Sequence, residues 1–145
     1  MGNRDIRPNW ERAPVASAAR TTSSNSGSVI LPSAPSYTFW LDVTTVTGTN
    51  PTLDLSIEQT PDDGTTFLGF LRFAQSIAAE QRRIKWAPSL MNEAAEETAE
   101  LATTGGASVD NMPASRKIRF VWTIGGTNTP TFTFAVGIVG ERWRT

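Results

Sequence analysis

The sequence predicts an all-β protein, an antiparallel β-sandwich of jelly-roll type, and three observations carry that prediction. Apolar residues recur at every second position in several short runs, Gly, Pro, Asn and Asp separate those runs, and most runs keep one polar face. A parallel α/β sheet would show near-continuous apolar strands alternating with helical periodicity instead. At 145 residues the chain has the length of one domain and can bury roughly two thirds of the surface its unfolded form exposes.

Residues 1–28 show no sustained apolar periodicity, and 17–28 have the composition of a flexible linker, so this stretch is predicted to be a flexible N-terminal arm ahead of a domain over 29–145. Near its front, Trp10 sits among Arg4, Arg7 and Arg12, residue types that anchor protein interfaces. After Pro32 and Pro35, Tyr37, Phe39, Leu41 and Val43 alternate with Thr38, Trp40, Asp42 and Thr44, the pattern of a half-buried strand. A turn at 48–51 leads to a second strand, in which Leu53, Leu55 and Ile57 oppose Asp54, Ser56 and Glu58. Pro61-Asp62-Asp63-Gly64 has turn chemistry, and a third strand is expected over 66–70.

Residues 81–86 alternate again, with Ile84 and Trp86 as the apolar set and Arg82, Arg83 and Lys85 assigned to the solvated face. Residues 90–101 are good helix formers and Gly105-Gly106 would end a helix, so the acidic insertion at 89–115 is predicted to be a short helix or a loop. Its apolar face is mostly alanine. The last two strands place Ile118, Phe120, Trp122 and Ile124 on one face, then Phe132, Phe134, Val136 and Ile138, with 125–130 expected as a hairpin loop. Residues 46–57 echo 124–136, which predicts two similar hairpins, one in each half.

The net charge of -1 hides an uneven distribution. Residues 1–28 carry +2, 29–88 carry -2, 89–115 carry -5 with no base, and 116–145 carry +4. Basic ends around an acidic middle suit contact between copies or with a complementary protein, and are too balanced for general nucleic-acid binding. No stretch approaches the ~20 apolar residues a membrane-spanning helix needs, and residues 1–10 lack the apolar centre of a secretion signal, so no membrane partner is expected.

The chain has no Cys and no His, which removes thiolate chemistry, disulfides and the commonest general base. The acids with any catalytic promise are Asp62, Asp63 and the glutamates at 93–100, and none has a visible partner set. Only Lys85 and Lys117 could activate a serine, and both lie in alternating strands. The Asp-Asp-Gly turn lacks the ligand run of a calcium loop. No catalytic, cofactor or metal residue is therefore assigned and the chain is not expected to be an enzyme. The residues expected to bind a partner are Arg4, Arg7, Trp10, Arg12, Glu93, Glu96, Glu97, Arg142, Trp143 and Arg144.

The run from Val46 to Phe67, with its Gly-Thr-Asn-Pro and Thr-Pro-Asp-Asp-Gly segments, together with Ile118 to Phe134, resembles the β-sandwich decoration, or cement, proteins of tailed-bacteriophage heads. The resemblance covers residues 36–138 and rests on turn-and-strand patterns. It implies a structural virion protein on the outer surface of the capsid, clamping neighbouring copies of the major capsid protein, as a homodimer or a trimer. The acidic insertion departs from the compact pattern of such proteins. An alternative expectation is a tail or fibre module that binds carbohydrate, suggested by Trp40 on the polar face of its strand.

Overall fold

The computed structural model describes residues 10–86, 96–99, 108–109 and 117–141. Alternation does build an all-β antiparallel fold, and its spine is a pair of long strands. β4 (Tyr37–Gln59) and β9 (Lys117–Gly140) pair along almost their whole length, from Tyr37 opposite Gly140 to Gln59 opposite Ile118. In one half of this ribbon, β6 (Glu80–Trp86) borders β4 and carries β7 (Glu96–Ala99), while β1 (Trp10–Arg20) borders β9. In the other half, β5 (Leu68–Arg72) borders β4 and carries β8 (Ser108–Val109), while β2 (Ser24–Asn25) and β3 (Val29–Ile30) border β9.

The two halves face one another. Phe120 lies opposite Ile57, and the chain from Phe39 to Ile57 would measure about 60 Å if straight. The Phe39 and Phe120 ring centroids are nevertheless 6.3 Å apart. Phe70 and Trp86, and Trp122 and Phe134, meet edge-on in the same way at 5.3 and 5.6 Å. One continuous hydrogen-bonded sheet is thus folded over, enclosing a single apolar core. Separate sheets are not needed, because the same two strands run through both layers.

The fold-over explains the sequence echo and corrects the hairpin expectation. The two Gly-Thr-Asn segments lie beside each other on β4 and β9, with Thr49 opposite Thr127 and the Asn128 Nδ2 donating to Thr49 Oγ1 at 2.7 Å. Gly48 and Asn50 on one strand, and Gly126, Asn128 and Thr129 on the other, adopt positive φ, and the ladder slips around Thr45–Thr52. Turn residues supply the left-handed backbone, but the partner strand decides whether a chain reverses or two paired strands bend together. A Cβ added to Gly126 would lie 2.9 Å from the Asn50 carbonyl oxygen, and Gly126 has φ 120°. Gly126→Ala is expected to destabilise by about 1–3 kcal/mol in urea unfolding, against less than about 0.5 kcal/mol for exposed Thr127→Ala.

Four further sequence expectations differ from the structure. Residues 10–20 form an edge strand where a flexible arm is expected from the sequence; a strand docking on an existing edge needs only backbone partners, and among its described side chains, those of 11–20, Val15 alone is buried. Pro14 and two bulges make it a blunted edge. Residues 96–99, expected in a short helix or loop, pair with β6 instead, because an apolar face made mostly of alanine buries little and holds a helix weakly while the edge of β6 offers a ladder; the rest of 90–101 lies outside the described residues. The third strand starts at Leu68 because Asp62 Oδ1 first accepts from the amides of Thr65 and Thr66, at 3.2 and 2.6 Å, and keeps them in the turn. Finally, Arg82 is in phase with Ile84 and Trp86, and it is buried with them.

Candidate interaction site

Strand register gathers the ends of the described chain segments. Trp10 lies opposite Gly140, Gly140 opposite Tyr37, and Tyr37 opposite Trp86, so one rung holds the start of β1 and the ends of β6 and β9. The far end of the ribbon has Ile30 opposite Lys117 and Gln59 opposite both Ile118 and Leu68. Folding the ribbon over brings these two rungs to the same end of the molecule, away from the bend. From this open end the chain passes toward residues 1–9, 87–95 and 142–145, and returns from 110–116.

The open end combines exposed apolar side chains with paired charges. Ile30 and Leu68 are 61% and 41% exposed, Ile30 on the strand that borders β9 and Leu68 on the strand that borders β4. Lys117 Nζ lies 2.6 Å from Asp63 Oδ1, and Arg119 Nε lies 2.5 Å from Glu58 Oε2 while its guanidinium sits 4.0 Å from the centre of the Phe67 ring. Glu141 Oε2 accepts from Ser36 Oγ at 2.7 Å and the Glu141 amide donates to the Ser36 carbonyl, which fixes where the chain leaves β9. Exposed aliphatic, aromatic and Arg side chains are residue types that protein-binding surfaces favour.

Of the sequence-predicted binding residues, Arg4, Arg7, Glu93, Arg142, Trp143 and Arg144 lie outside the described residues. Trp10 opens β1 opposite Gly140, and Arg12 is exposed on β1 opposite Ile138. Glu96 and Glu97 are placed on β7, opposite Lys85 and Ile84. The register thus brings Trp10 and Arg12 beside the end of β9, next to the 142–144 segment in sequence, while β7 lies across β6 and β4 from them.

The carboxylates of the 61–64 turn are held by structure. Asp62 Oδ1 accepts from Thr60 Oγ1 and from the amides of Thr65 and Thr66. The Thr66 amide, first among these contacts, holds the Asp62 pKa below the ordinary carboxylate value. Burial raises the pKa of Tyr37, whose hydroxyl accepts from the Ala34 amide and donates to the Pro32 carbonyl. Burial likewise lowers that of Arg20, which donates to the Ala16, Ala18 and Phe134 carbonyls and covers Trp122 and Phe134. Among the described residues no group of three His, Cys, Asp or Glu could hold a metal ion.

A second surface lies on the outer face of the first half. Trp40, half-buried, pairs with Gly137 on one side and Arg83 on the other. A Cβ on Gly137 would fall inside the indole, so the ring occupies the space that a side chain there would take. Sequence alternation places Trp40 outward, but only the register shows that its neighbour is a glycine. No protein-family model, curated protein or solved structure matches this chain.

Proposed function

We propose that this chain is a structural virion protein that binds the outside of a phage head and clamps neighbouring major capsid protein subunits. The observation that carries the reading is the convergence at the open end. There the described ends of β1, β6 and β9, from which the basic N-terminal, acidic central and basic C-terminal stretches continue in sequence, lie at the same end of the folded-over sheet as exposed Ile30 and Leu68. The resemblance in turn-and-strand pattern to phage-head cement proteins supports the choice of a capsid. A small clamp repeated over an icosahedral lattice works with weak individual contacts, because each engaged segment raises the effective concentration of the next. The core supplies the platform and the segments supply the reach.

Purified chain is expected to co-sediment with undecorated head shells and to raise their resistance to heat or denaturant. Removing residues 1–9 together with 142–145 is expected to leave the unfolding midpoint nearly unchanged and to weaken shell binding at least tenfold. Full binding by the truncated chain would remove the terminal segments from the clamp, and absence of binding by the intact chain would overturn the capsid reading.

A further inference from the structure

We propose that the outer face centred on Trp40 is a carbohydrate-binding site, which takes one pyranose ring of a glycan against the indole. This goes beyond the shell-clamping role. The layout of the face follows from register: Gly137, Trp40 and Arg83 form one rung, Asp42 and Gln81 lie on the next along the same face, and Lys85 flanks Arg83 on the other side. Neighbouring residues on one face of a strand are about 7 Å apart, so the polar groups stand one sugar ring away from the indole.

Three features favour a sugar. The indole is half-buried over backbone, which fixes its position before any ligand arrives and limits the ordering cost of binding. The indole itself covers Gly137, which is buried beneath it, so the ring lies down on the sheet with its other face turned outward. Among the described residues, the side chains of Asp42, Gln81, Arg83 and Lys85 make no hydrogen bond or ion pair, so a carboxylate acceptor and several donors are free to take up hydroxyl groups. A carboxylate and a guanidinium can each engage a vicinal diol in two-point fashion. An aromatic platform with mixed donors and acceptors matches the amphipathic sugar ring, which has apolar C–H faces and a polar rim. Asp42 opposes the phosphate-rich backbone of a nucleic acid, which argues against that use of Arg83 and Lys85.

The test is a glycan array probed with the full chain, followed by calorimetric titration of the best saccharide. Binding is expected to a restricted set of glycans. Trp40→Ala and Arg83→Ala should each weaken it at least tenfold, Trp40→Phe should retain part of it, and all three should keep parental co-sedimentation with shells. If Trp40→Ala fails to fold, Arg83→Ala and Asp42→Asn, both on the outer face, decide the matter. Absence of any glycan bound by the full chain would overturn the site, as would binding that survives these substitutions. Binding seen only after deletion of 142–145 would equally overturn it, by showing the chain's own tail over the indole. Shell binding lost with glycan binding intact would instead count against the capsid reading.

Discussion

Phe120→Ala is expected to lower the unfolding free energy by about 3–5 kcal/mol, the range for deleting a buried phenylalanine side chain. Phe120 is fully buried on β9 and meets Phe39, equally buried on β4, edge-on at 6.3 Å across the fold-over. Its backbone is held independently: the Phe120 amide donates to Ser26 Oγ, and the Phe120 carbonyl accepts from the Ser26 amide. The ladder therefore stays in place, the vacated volume collapses poorly, and most of the loss comes from burial and the cavity. Phe39→Ala should cost a comparable amount. Because the rings touch, the double variant should fall short of the summed singles by about 0.5–1.5 kcal/mol, the worth of an aromatic pair beyond its buried area. Guanidinium unfolding of the four chains measures the cycle. Strict additivity would mean that the two halves of the ribbon do not clasp through this pair.

The strand faces were legible in the sequence because alternation is local: the inward set of β4 and β9 is the set that period-two reading picks out. What stayed hidden depends on the partner. Gly48-Thr49-Asn50-Pro51 looks the same whether it closes a hairpin or bends a strand beside its twin, and only the Thr49–Thr127 pairing distinguishes them. Residues 11–20 carry no periodic signal because an edge strand in which Val15 alone of these side chains is buried needs none. Of the binding residues, Trp10 and Arg12 were legible as composition, but their meeting with the end of β9 is a fact of register. The inward position of Arg82 is legible by the same local rule, since counting by two from Ile84 and Trp86 places it on their face. The Glu58–Arg119–Phe67 cluster could not be found by counting, because its members come from three separate segments.

Arg82→Ala is expected to destabilise the protein by about 3–5 kcal/mol, the cost of removing one partner from a buried ion pair. Arg82 is 1% exposed on the inward face of β6, and its Nη2 lies 3.0 Å from Glu80 Oε2 on the same face, with the Gln75 carbonyl at 3.5 Å. Taking a guanidinium out of water is costly, and the carboxylate beside it is what makes the burial tolerable. Truncation to alanine leaves a cavity and a largely buried Glu80 without its cation. Arg82→Met separates these causes, because it keeps most of the volume and removes the charge. If charge pairing dominates, Glu80→Gln should cost clearly less in the Arg82→Met chain than in the parent, with a coupling of at least about 1 kcal/mol. If volume dominates, Arg82→Met alone should restore nearly full stability and the coupling should vanish. Arg82 also lies opposite Ala99, where the acidic segment joins the sheet, so the pair stabilises the strand that carries β7. Loss of Arg82 should therefore raise amide hydrogen exchange in β6 and β7 before it does so in the central β4 and β9 strands. Uniform acceleration over all four strands would show that the ion pair supports the core as a whole and not this edge.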